Sequence, residues 1–303
     1  MKWPTKWIAY GVLGLTCAAC GGGGASSGYR NGDAGQSDAA PTLNDGAPVS
    51  GDALSLGDGS GGEGGSGQVA EVFGQSADTL YKLDPGSKAV TVVGPFQGCS
   101  QVIDIALDKD SNMYATTFNS FYKVDRNTAQ CTQIASGSVY PNSLSFVPAG
   151  TLDPNAEKLV GYNVDQYITI DTQTGVITNV GTAIGMGLSS SGDIVSVKGG
   201  GTYLTVNCLG GGSCPCTTDC LIQVDPSTGS FLKNWGPTGH TNVFGIAFWA
   251  GAVYGFDDGG NLFQIDFNGA AMQITAIPVP NPPPMLQFWG AGSTTSAPVN
   301  PNK

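Results

Sequence analysis

Positive charge is scarce in this chain. Of 303 residues, 12 are Lys or Arg and one is His, against 23 Asp and Glu, for a formal charge of −11. A surface this acidic repels phosphate backbones and anionic headgroups, and no Lys/Arg cluster offsets it, which argues against nucleic-acid binding. With His240 as the single histidine, metal sites built from several histidines are excluded. Between 69 and 298 no G-x-S-x-G turn is available to raise a nucleophilic serine; the one match to that spacing, Gly24 to Gly28, lies in a glycine-rich stretch with no strand before it. Charged residues reach only 12% while Gly numbers 47, a composition that suits an extracytoplasmic, turn-rich β protein better than a helical one.

What is present begins with a leader. "MKWPTKWIAYGVLGLTCAAC" carries Lys2 and Lys6, then an apolar run from Ile8 to Leu15, then small residues. That is the order of a secretory signal peptide over 1–19, and the run is far shorter than the roughly 20 residues that span a bilayer. "CAAC" followed by Gly21 resembles the lipobox of bacterial lipoproteins, although Cys17 stands where Leu is usual. The resemblance implies that Cys20 is lipidated; cleavage after Ala19 to give a soluble secreted protein is the alternative. Residues 21–68 hold 16 Gly and 7 Ser, with Leu43, Val49, Leu54 and Leu56 as the large aliphatics. So little apolar surface does not offset ordering entropy, so 20–68 is expected to be a lipidated Cys followed by a flexible tether spanning roughly 35–40 Å.

From Val69 to 298 a repeat appears, followed by a short tail over 299–303. Its clearest piece is "LYKLD" (80–84), "FYKVD" (121–125), "YITID" (167–171), "LIQVD" (221–225) and "LFQID" (262–266). Alternation at period two marks a strand, and the Asp opens a turn by accepting local N–H bonds. Five aspartates at one position point to turn chemistry, not to five catalytic acids. A further strand follows each turn, and upstream lies a strand–turn–strand piece such as "DIALDKDSNMYATT" (104–117) and "MGLSSSGDIVSV" (186–197), with "GLSSSG" expected at a hairpin tip. Four short strands per repeat predict an all-β, five-bladed propeller. The first repeat lacks its first strand, and the terminal "LQFWGAGSTTSA" supplies it, Phe288–Trp289 copying Phe248–Trp249. The ring is therefore expected to close by pairing of the C-terminal strand with the first blade.

The repeats resemble secreted bacterial propellers of the "LY-x-[IV]-D-x-x-T-G" kind, a group that includes NHL-like, YVTN-like and lactonase-like propellers. The resemblance covers about three quarters of the chain and implies the fold. It does not choose a function, since the architecture hosts binders, scaffolds and enzymes.

Cys99 and Cys131 flank one blade and are expected to form a disulfide. Cys208, Cys214, Cys216 and Cys220 crowd into a loop whose spacing lacks the paired C-x₂-C knuckles of a zinc site, and two further disulfides are expected, with connectivity open. "DKDSN" (108–112) starts like a calcium loop, but Met113 and Asn119 stand where its Gly and Glu belong. Channel-lining positions are expected at or just before each first strand: Asp104, Asn142, Gly185, Asn242 and Met285. Lactonase-like propellers place metal-binding carboxylates there; one acid and two amides fall short of such a cage. The ligand-contact candidates are Asp104, Asn142, His240 and Asn242, with no catalytic residue, metal ligand or cofactor assigned. The expected protein is a monomer anchored to a lipid membrane through Cys20, in the bacterial cell envelope at the outer membrane or cell surface, binding or scaffolding a protein or glycan partner. The alternative is a lactonase-like hydrolase or lyase acting in the channel.

Overall fold

The structure, a computed structural model, describes residues 70–208 and 217–300, without the side chain of Cys208. The leader, Cys20, the glycine-rich segment, Cys214, Cys216 and residues 301–303 lie outside the described residues. Among the described residues there are twenty strands and no α-helix. They run β1 (Val72–Gln75), β2 (Thr79–Leu83) and β3 (Val90–Pro95); then β4 (Asp104–Leu107), β5 (Met113–Thr116), β6 (Ser120–Val124) and β7 (Cys131–Ser136). Next come β8 (Leu144–Val147), β9 (Lys158–Asn163), β10 (Gln166–Ile170) and β11 (Ile177–Ala183). The fourth group is β12 (Leu188–Ser196), β13 (Thr202–Cys208), β14 (Cys220–Val224) and β15 (Phe231–Pro237). The last is β16 (Val243–Trp249), β17 (Ala252–Asp257), β18 (Leu262–Asn268), β19 (Ala271–Ile277) and β20 (Gly290–Ser293).

Five four-stranded antiparallel sheets result, and one has the order β20-β1-β2-β3. The chain thus forms a five-bladed β-propeller in which the last strand completes the first blade. The innermost strands β4, β8, β12, β16 and β20 touch in sequence around the ring. Each blade packs its apolar face on the next, so the core is divided into five inter-blade clusters. The cluster joining the last blade to the first contains Phe256, Phe288, Tyr81 and Ala291. The first two strands of a blade are buried on both faces, whereas the outermost, such as β7, is mostly exposed or half-buried. That gradient follows from position in the wheel: inner strands are enclosed by neighbouring blades, outer strands meet water.

The repeated Asp does the turn work expected of it in four blades. Asp84, Asp125, Asp171 and Asp225 each accept a hydrogen bond on Oδ1 from the backbone N–H two residues on, at 2.7–3.0 Å. In the fifth blade β18 continues through Asp266 to Asn268, and the Asp266 carboxylate accepts from Gln264 Nε2 instead. "GLSSSG" is not a hairpin tip. Its serines lie within β12, which carries a register shift between Ser190 and Ile194, and the chain reverses later, between Ser196 and Thr202. Residues 108–112 form a turn capped by Asp108, whose carboxylate is engaged by Asp110 N, Asn112 N and Asn112 Nδ2.

Cys99 and Cys131 are joined, with Cα atoms 5.7 Å apart. Their bond ties the segment leading into β4 to the outer strand of the same blade. Cys220 is also disulfide-bonded; the expected pairing with Cys208, Cys214 or Cys216 lies outside the described residues. Replacing Cys99 and Cys131 by Ser is expected to lower unfolding stability by about 3–4 kcal/mol, the loop-entropy cost of a link of this span. Urea melts of the two forms measure it; equal midpoints would show that the bond is dispensable.

Candidate functional site

Equivalent positions around the channel follow from the pairing register. The residue before the turn Asp in four blades (Leu83, Val124, Ile170 and Ile265) pairs with a second-strand residue, which in turn pairs with the first strand; in the fourth blade Gln223 pairs with Tyr203, so Thr202 is the residue one step on, level with Val224. Ser293, Leu107, Phe146, Ser196 and Phe248 are thereby equivalent. Phe288–Trp289 therefore does not occupy the place of Phe248–Trp249. The closing strand was recognisable from that likeness, but its register is displaced, and Ser293 rather than Phe288 stands beside Phe248, accepting a bond from its N–H at 2.9 Å.

Counting back along each first strand gives two rings. The deeper ring is Asp104, Ser143, Asp193, Gly245 and Gly290, and the ring just outside it is Ile103, Asn142, Gly192, Phe244 and Trp289. Both lie where first strands begin and second strands end, here termed the mouth face.

The deeper ring plugs the channel. Asp104 and Asp193 are fully buried. Asp104 accepts from Ile105 N at 2.8 Å and, across to the next blade, from Leu144 N at 2.6 Å. Asp193 repeats the motif with Ile194 N at 2.6 Å and Ile246 N at 2.7 Å. The two carboxyl groups are also near enough to each other to interact. Burial above all, and for Asp104 then the adjacent Asp193 charge, hold both well above the usual carboxylate range. Room for them comes from their neighbours. A Cβ on Gly290 would stand 2.3 Å from Asp104 Oδ1.

The outer ring forms a cup. Ile103, Asn142, Phe244 and Trp289, with Phe118 from the β5–β6 connection, line a cavity of about 230 Å³. The fourth blade contributes no wall, because Gly192 lies against backbone there; a Cβ would meet Val243 O at 2.3 Å. Around it the same face exposes Phe118 (66%), Val139 (68%), Val164 (59%), Met186 (57%) and Met285 (93%). Val164, Met186 and Met285 are also held at φ of 63°, 59° and 55°. A non-glycine residue costs on the order of 1–2 kcal/mol there, and a β-branched Val is the worst suited. Strain of this kind, spent on apolar side chains that face water, is characteristic of contact surfaces.

The residues singled out from sequence fall in different places. Asn142 lines the cup. Asp104 sits one residue below it, sequestered. Asn242 is exposed and donates to Asp258 Oδ2 at 3.0 Å. His240 stands apart, with Nδ1 2.9 Å from Asp257 Oδ2 and its ring 4.0 Å from that of Phe263. It borders a separate cavity of about 350 Å³ with Leu262, Ile277 and Val279. Gly185 and Met285 precede the true ring positions, which are Gly192 and Trp289. Asp193, Phe118, Phe244 and Trp289 had not been singled out as channel residues. Among the described residues, no group of three or more His, Cys, Asp or Glu is placed to hold a metal ion.

No family model and no curated protein matches the chain. Solved structures do. A protein of unknown function from Bacteroides caccae matches with a TM-score of 0.39 and 11% identity, covering 68% of this chain and 72% of that one. A streptogramin B lyase matches with a TM-score of 0.37 and 14% identity, over 68% of this chain and 63% of that one. The extracellular domain of a one-component system from B. thetaiotaomicron matches with a TM-score of 0.36 and 13% identity, over 70% of this chain but 28% of that one. Similarity at this level speaks to neither ligand nor activity.

Proposed function

We propose that the protein is an extracytoplasmic binding module, held to a membrane through Cys20, that receives an apolar ligand in the cup at its channel mouth. The observation that carries this reading is the convergence of Ile103, Phe118, Phe244 and Trp289 on one cavity above a closed channel. An apolar cavity with one polar side chain, Asn142, favours binding over chemistry, because the channel carboxylates have their oxygens taken up by backbone N–H groups. Val72 pairs with Ser293, so the described chain both enters and leaves the propeller on the face opposite the mouth.

Binding of 2-phenylethanol, followed by ligand-observed NMR, tests the cup. The wild type is expected to bind it, and a Phe244→Ala/Trp289→Ala variant with an unchanged melting profile is expected to lose at least tenfold in affinity. Equal binding by the two proteins would remove the cup as the site. Metabolic labelling with a fatty acid, compared between the wild type and Cys20→Ala, tests the anchor separately.

A further inference from the structure

The mouth face carries a one-sided charge. Its connections among the described residues are 76–78, 96–103, 117–119, 137–143, 164–165, 184–187, 217–219, 238–242, 258–261 and 278–289, and none contains Lys or Arg. Asp78, Asp165, Asp258 and the buried Asp219 lie in them, and His240, the one basic side chain present, is engaged with Asp257. The described Lys and Arg residues sit in outer strands or at the opposite face: Lys88, Lys109, Arg126 and Lys198 on its turns, Lys158 at its end of β9. The cup itself presents three aromatic side chains, Phe118, Phe244 and Trp289.

From this geometry we infer that the cup takes an organic cation, a small methylated ammonium group bearing an apolar substituent. The inference rests on the cup being the binding site and adds the charge of its occupant. Aromatic faces attract a cation through their quadrupole, most strongly for Trp, and a methylated ammonium needs no hydrogen bonds, which suits a cavity with one amide. Acidic connections with no Lys or Arg to offset them give this face a negative potential that draws cations toward it. A primary ammonium or a guanidinium fits less well, because its N–H donors find only Asn142 within the cup. Anions meet a face with acidic connections and no Lys or Arg.

Choline and its uncharged isostere 3,3-dimethylbutan-1-ol share shape and differ in charge, so their comparison isolates the claim. Titration calorimetry on the wild-type chain is expected to give at least about tenfold tighter binding of choline. Trp289→Leu is expected to abolish most of that preference while still binding the alcohol, and Trp289→Phe to restore part of it. Thermal melts of both variants establish that they fold. Equal affinity for the two probes overturns the cation inference and leaves the cup intact as an apolar site. Choline binding untouched by Trp289→Leu overturns it as well, by placing the cation elsewhere. Failure of both probes together with 2-phenylethanol removes the cup reading itself.

Discussion

Deletion of residues 285–303 is expected to leave no soluble, cooperatively melting monomer. The lost segment contains β20, which pairs with β1 from Val72↔Ser293 to Gln75↔Gly290 and packs between β4 and β16. It also removes Phe288, fully buried against Tyr81 and Phe256 at ring-centroid distances of 6.0 and 5.0 Å. Burying one such side chain contributes about 1.5–3 kcal/mol, and the deletion further uncovers the apolar faces of the neighbouring inner strands. A domain held by about 5–15 kcal/mol in total has little margin for this. The unpaired edge of β1 would then offer itself to other chains. Expression followed by fractionation and a thermal melt decides the matter. A soluble truncated monomer with a single sharp transition would falsify dependence on closure.

The second large effect concerns the buried carboxyl pair. Asp104→Ala is expected to destabilise the fold by about 3–5 kcal/mol at neutral pH, since it strands Leu144 N and Ile105 N and leaves Asp193 buried without its partner. Asp104→Asn, which stays beside Asp193 and keeps an acceptor for one of those N–H groups, is expected to cost far less. The pair also sets a direction for pH dependence. Asp104 and Asp193 are raised by burial, and Asp219, also buried, is pushed up to about 6. Below the unfolded pKa near 3.8 both states hold these protons and the groups contribute no slope. Between that value and each raised pKa the unfolded chain has lost the proton and the native one has not, so stability falls as pH rises. For Asp219 the window is about 4 to 6. The turn aspartates Asp84, Asp171 and Asp225 shift the opposite way, but the first two are exposed and the third only half-buried, so solvent screens their contribution. Urea melts at pH 4, 6 and 7.5 should give a falling series for the wild type and a flatter one for Asp104→Asn. Parallel series, or an Asp104→Ala variant as stable as the wild type, would sink the pair as a structural keystone.

Much of the fold was legible in the residues because it is local and repeated. The five "L-Y-x-[IV]-D" pieces mark third strands, and a carboxylate two residues before a free N–H makes the same turn wherever the next strand starts late enough. Asp266 departs because β18 runs three residues further, so its turn forms without it. The pairing of Cys99 with Cys131 was also readable, since both belong to one blade. The site was less so. The ring Ile103, Asn142, Gly192, Phe244 and Trp289 shares no residue type, because each member meets a different neighbour at the wheel's centre, and nothing along the chain marks them as a set. Only Asn142 had been singled out in its true place. Asp193 was hidden by the irregularity in β12, which moved the apparent hairpin tip onto its serines.

What the sequence determined by itself is the inventory: five blades, their strand order, the turns and the closure by the tail. These depend on residues near one another, or on a repeat conspicuous enough to be counted. The tertiary structure decided which side chains face the channel and what surrounds them. A strand's faces alternate residue by residue, so a bulge or a one-residue error in register exchanges inside for outside, and only the hydrogen-bond ladder sets that register. The meeting of Asp104 with Asp193 across an intervening blade, and of Phe118 with Phe244 and Trp289, depends on the ring's diameter, a property of all five blades together.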